Sequence, residues 1–154
     1  MTTESSVPAS GPIVFAYDGS ELAKLAIDEA GRQLPPGRDA LVLTAWQPFD
    51  VGFVPSAGLR FDAAQIEDVH KAAEQTAAEG ASLAHAAGFR AQSLTIEAAP
   101  TWKAIVDLAD DQDASLIVLG APGRNGVADL LLGSVAGAVA AHSRRSVLIT
   151  HRRA

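Results

Sequence analysis

Two patterns of apolar residues alternate along this chain. Short, nearly unbroken apolar runs occur at Ile13-Val14-Phe15-Ala16-Tyr17, Ala40-Leu41-Val42-Leu43-Thr44-Ala45-Trp46 and Leu116-Ile117-Val118-Leu119, with another at Ser146-Val147-Leu148-Ile149-Thr150. Unbroken runs of this length predict strands covered on both faces. Residues 91–97 alternate instead and predict one further strand. Between the strands, Leu22, Leu25, Ala26 and Ala30 keep helical spacing, residues 62–87 are Ala-rich, and Trp102, Ile105, Val106, Leu108 and Ala109 line one helical face. A last helix falls within residues 130–142. Ser20 is placed to cap the first helix, Pro35-Pro36-Gly37 stops it, Gly88 ends the second and Pro100 opens the third.

Five strands thus alternate with four helices, the strands lying over 12–17, 40–46, 91–97, 114–120 and 145–151. That order predicts a doubly wound parallel α/β domain with helices on both faces of a five-stranded sheet. Residues 1–11 are small, polar and Pro-containing, which predicts a disordered lead-in before a single domain over 12–154. Residues 47–60 carry Pro48, Gly52, Pro55 and Gly58 and read as a long loop. Strand order is not given by this pattern: 2-1-3-4-5 and 3-2-1-4-5 both suit five such strands. The choice matters, because ligands bind beyond the carboxyl ends of strands where the order reverses.

The stretch most suited to chemistry is Gly120 to Val135, G-A-P-G-R-N-G-V-A-D-L-L-L-G-S-V, lying between the fourth strand and the last helix. Glycines let a ligand approach bare backbone, and a following helix offers unpaired N–H groups to an anion. Ser134 is placed as N-cap or as a hydroxyl donor to that anion. The spacing Gly120-x2-Gly123-x9-Gly133-Ser134 is neither the Walker pattern nor the Rossmann pattern.

This spacing resembles the nucleotide signature of the universal stress protein family, in its ATP-binding branch. The first strand ending in Asp18-Gly19-Ser20 and the run Leu132-Gly133-Ser134-Val135 share the resemblance, which covers about residues 12–151. It implies the sheet order 3-2-1-4-5, which brings Asp18 and Gly120 to one crevice. It further implies that Gly123, Gly133, Ser134 and Val135 hold phosphate oxygens, and that Asp18 and Gly120 contact ribose. Ala16 and Ala45 would pack adenine, Ala45 through main-chain atoms. Asp18 is also an oxygen ligand able to orient hydrated Mg²⁺, and Arg124 can pair with a terminal phosphate. ATP, with Mg, is the implied ligand. The family commonly dimerises through its last strand, so a homodimer through Ser146, Val147, Leu148, Ile149 and Thr150 is expected. Pro122 departs from a wholly donating loop, since it removes one N–H.

Composition narrows the function. The chain has 154 residues, a net charge of −6 and no cysteine. Disulfides, thiolate chemistry and cysteine metal sites are therefore excluded, and the acidic balance argues against a general nucleic-acid binder. No signal-peptide pattern and no apolar run of membrane-span length is present, so a cytoplasmic location is expected. His70, His85, His142 and His151 lack the partners of a zinc motif. Asp110, Asp111 and Asp113 read as a solvated helix end, unfavourable to the dipole there. Nothing resembles a general base or a P-loop Lys, so the expectation is a regulatory stress-response ATP-binding module, at most a slow ATPase. The alternatives are a structural or dimerisation module that binds no nucleotide, and an adenylating or phosphoryl-transfer enzyme. A phosphoacceptor domain would need paired acids after the first strand, an Asp after the third and a Lys after the fifth; here there is one acid, then Ala98, then His151.

Overall fold

Five parallel strands carry the molecule. In the computed structural model they are β1 (Ile13–Ala16), β2 (Asp39–Trp46), β3 (Arg90–Glu97), β4 (Leu116–Gly120) and β5 (Ser146–Thr150). The helices are α1 (Glu21–Gln33), α2 (Ala63–Ala86), α3 (Thr101–Asp111) and α4 (Ser134–His142). The structure describes residues 11–47, 63–98, 100–121 and 133–152. Residues 1–10, most of the predicted 47–60 loop, and Pro122, Gly123, Arg124 and Asp129 lie outside them.

The sheet order is β3-β2-β1-β4-β5, the order implied by the resemblance. β1 lies at the centre, paired with β2 from Ile13↔Ala40 to Ala16↔Leu43 and with β4 from Ile13↔Leu116 to Phe15↔Val118. The order therefore reverses between β1 and β4, which is where a crevice must open.

Side-chain alternation divides the core into two layers. Ile13, Phe15, Val42 and Val118 face one way, packed with Ala23, Ala26, Ile27 and Ala30 of α1 and Ala84 of α2. Val14, Leu43, Ile117 and Leu119 face the other, against Ile105, Leu108 and Ala109 of α3 and Ala136 and Val139 of α4. Both faces are buried, which is why the strand sequences read as continuous rather than alternating. β3 differs: at one edge of the sheet, it leaves Arg90, Gln92, Ser93 and Glu97 exposed, whereas β5, the other edge strand, keeps a continuous apolar run.

The helix ends obey local chemistry. Ser20 Oγ accepts the Ala23 N–H at 3.2 Å and caps α1. Gly88, at φ +107°, ends the turn after α2. Two of the acidic residues at the end of α3, Asp110 and Asp113, share one partner. Arg145 donates to Asp110 at 3.1 Å, to Asp113 at 2.7 Å and to the Ala114 carbonyl at 3.4 Å. The charges that oppose the α3 dipole thus latch that helix to the segment entering β5.

Candidate functional site

A cleft of about 350 Å³ opens at the carboxyl ends of β1, β2 and β4. Ala16, Asp18, Ala45, Gly120, Gly133, Ser134 and Val135 all line it, so every described candidate from the sequence converges there. Gly123 and Arg124 lie outside the described residues. The topology produces the convergence, because β1 and β4 are neighbours only when the sheet order reverses between them.

The first turns of three helices meet at this cleft. Ser20, Leu22 and Ala23 bring the start of α1, Thr101 that of α3, and Ser134 to Ala136 that of α4. Each helix start presents unpaired N–H groups and the positive end of a dipole. Asp18 is the one charged lining residue among the described residues. The wall formed by Leu43, Ala45, Ile105 and Leu119 is apolar. The cleft therefore suits an anionic ligand with one flat apolar portion and hydroxyls within reach of a carboxylate.

Ser134 differs from one expectation. Gly133 is the N-cap of α4, at φ 90° and ψ 154°, and Ser134 is the first helical residue. Residue 133 adopts a conformation that favours glycine, and no side chain caps the helix. The Ser134 hydroxyl is exposed and not spent on its own backbone. Asp18 does part of its work locally: its Oδ1 accepts the Ser20 N–H at 2.9 Å, closing an Asx-type turn. That turn fixes the carboxylate at the cleft rim. Among the described residues no group of three His, Cys, Asp or Glu side chains gathers for a metal.

The backbone of Ala45 is positioned by the sheet ladder. The last β1–β2 rung is the Tyr17 N–H donating to the Leu43 carbonyl at 2.9 Å. Main-chain groups alternate sides along a strand, so Leu43 and Ala45 point toward β1, whereas Trp46 bonds toward β3 through Ala98 N–H to Trp46 O at 3.1 Å. β1 ends at Ala16, and among the described residues the Ala45 N–H has no hydrogen-bond partner.

Tyr17 and Thr101 are lining residues that sequence reasoning did not select. Tyr17 is buried, and its phenol donates to the Glu79 carboxylate, tying the end of β1 to α2. Burial pushes this phenol well above its ordinary value, and the Glu79 contact raises it further. Thr101 follows Pro100, which forms no side-chain cap. Neither signal exists in the sequence, since both depend on which helix start packs over which strand end. Trp46 faces away from the cleft. It is 8% exposed and stacks on His70 of α2, with ring centroids 4.8 Å apart and planes at 17°. It belongs to the wall of a neighbouring groove on the α2 side.

Sheet order, helix placement and cleft together define a doubly wound α/β protein with an open cleft at its switch point. The chain belongs to the universal stress protein family, whose sequence model matches residues 10–151. It is 31% identical over 149 residues to universal stress protein Rv2005c of Mycobacterium tuberculosis, covering 94% of this chain and 47% of that protein. The chain thus spans about half the length of that relative. Universal stress protein Rv1636 of the same organism is 30% identical over 147 residues, covering 90% of this chain and 94% of that one. A universal stress protein solved in complex with cAMP is 30% identical, with a TM-score of 0.62, covering 93% of this chain and 98% of that one.

Proposed function

We propose that this chain is an ATP-binding regulatory module of the stress response, and at most a slow ATPase. The observation that carries the reading is the meeting of three helix starts, one carboxylate and an apolar wall in a single switch-point cleft. The cAMP complex of a 30% identical relative supports an adenine nucleotide as the ligand class.

In this reading adenine lies against Ala16, Leu43, Ala45 and Ile105, and the Ala45 N–H donates to a ring nitrogen. Asp18 accepts from ribose hydroxyls beside Gly120. Gly133, Ser134 and Val135 donate to phosphate oxygens at the start of α4, with Gly123 and Arg124 of the glycine signature completing the anion site. Mg²⁺ would be held chiefly by the phosphates, with Asp18 orienting its water shell. The bound group supplies charge neutralisation, and the protein supplies positioning. No lysine in the signature stands where a P-loop would place one, so hydrolysis is slow and the output is a change of conformation or partner. A cytoplasmic homodimer pairing through β5, an edge strand, completes the proposal.

The experiment is the nucleotide content of protein purified without added ligand, together with the melting shift produced by ATP, AMP and cAMP. Adenine nucleotide near one per chain, lost in Gly123→Asp, is the expected result. Empty protein that no adenine nucleotide stabilises would overturn the reading. Light scattering that gives a concentration-independent monomer would remove the dimer.

A further inference from the structure

Thr44 is polar yet buried, in the middle of an otherwise apolar strand, with 6% of its surface exposed. Its Oγ1 donates to the Tyr17 carbonyl at 2.8 Å. That carbonyl sits at a specific place in the ladder. Tyr17 N–H to Leu43 O is the last rung between β1 and β2. In a parallel ladder the next rung runs from the N–H two residues further along β2, which is Ala45, to the Tyr17 carbonyl. That rung is not made: the Thr44 hydroxyl takes the acceptor instead.

We propose that Thr44 is a positioning residue of the cleft: by occupying the Tyr17 carbonyl it keeps the Ala45 N–H out of the sheet and free to donate to a bound ligand. A buried carbonyl demands a donor. Register turns two donors toward it, the Thr44 hydroxyl and the Ala45 amide; the oxygen has room for both, but the hydroxyl meets its demand by itself and leaves the amide to the cleft. With the hydroxyl in place, the amide that lines the cleft keeps its proton for an acceptor outside the protein. Without it, the Tyr17 carbonyl recaptures Ala45, β1–β2 pairing extends by one rung, and the cleft loses its donor. The release of the amide stands on the ladder alone; the identity of the acceptor, a ring nitrogen of a purine, rests on the nucleotide reading above.

The release is tested without ligand, by amide hydrogen exchange of the full chain in solution. In the wild type the Ala45 amide exchanges fast while the Leu43 amide, inside the ladder, is protected. Thr44→Val, equal in shape and without the hydroxyl, should slow Ala45 exchange and leave Leu43 unchanged; Thr44→Ser should restore fast exchange. Thr44→Ala serves as a second hydroxyl-free variant if the valine fails to fold. Ala45 exchange that is the same in the wild type and in the folded hydroxyl-free variant would overturn the proposal.

Calorimetric titration then tests the consequence. ATP affinity should fall roughly tenfold in Thr44→Val, the worth of one hydrogen bond, and return in Thr44→Ser. Ribose 5′-triphosphate, which lacks the base, should bind both proteins alike. An equal loss for both ligands would show a general distortion and count against the role of Thr44. If the wild type binds neither ligand the nucleotide reading falls, while the exchange result still judges Thr44.

Discussion

Gly120 lies so close to Leu22 that a Cβ added to it would stand 2.6 Å from the Leu22 carbonyl oxygen. The end of β4 and the first turn of α1 therefore touch through bare backbone, and this contact forms one corner of the cleft. Gly120→Ala should destabilise the fold by about 1–3 kcal/mol, the cost of overpacking against a backbone that cannot yield. Gly137, with nothing within 4 Å of its added Cβ, is the contrasting case. Gly137→Ala should stabilise by about 0.5–1 kcal/mol, because it lies in helical α4. Urea melts of the two variants check both the sign and the contrast.

The Tyr17 phenol, buried and bonded to Glu79, ionises at higher pH in the folded chain than in the unfolded one. A raised value of this kind gives stability that is complete below the unfolded value, about 10, and is lost as pH climbs above it. Stability should therefore decline from about pH 10 upward. Tyr17→Phe should be less stable at neutral pH, since Glu79 loses its donor, and should decline less steeply above that point. Melting temperatures recorded from pH 8 to 11.5 for both proteins would show it; parallel curves would refute the coupling.

Ser134 stands inside α4 rather than at its cap. Loss of a true N-cap costs about 1 kcal/mol. Ser134→Ala should instead leave the melting temperature of the free protein unchanged. It should weaken ATP several-fold and adenosine not at all, which calorimetry with the two ligands distinguishes.

Asp18 combines a turn contact with the only charge on the described cleft wall. Asp18→Asn keeps a side-chain oxygen for the Ser20 N–H and removes the charge. The free protein should keep its stability within about 0.5 kcal/mol, the range of surface substitutions. Ligand affinity should fall by about 1.5–3 kcal/mol, the span for a hydrogen bond to a charged group. An unchanged dissociation constant would exclude the carboxylate from ligand contact.

Much of the molecule was legible before the structure. Continuous apolar runs announced buried parallel strands, and the alternation of residues 91–97 announced the further strand β3. Ser20, Gly88 and Pro100 punctuate helices by local chemistry, which depends on neighbours within a few residues. The spacing from Gly120 to Val135 singled out a stretch whose described ends, Gly120 and Gly133 to Val135, line the cleft, and its resemblance to a known family supplied the sheet order that composition left open. Other features depend on contacts between distant elements. Arg145 reaching Asp110 and Asp113, Tyr17 reaching Glu79, and Trp46 turning to His70 are decided by which helix lies over which strand. The cap of α4 moved from Ser134 to Gly133, because the backbone entering the helix takes a left-handed conformation that residue types alone did not reveal. Thr44 and Ala45 show the division most sharply. The sequence determines that both lie at the end of a buried strand. Only the register of β1 on β2 decides which of them fills the Tyr17 carbonyl, because a hydrogen-bonding side of a strand has no meaning until a neighbour is paired to it.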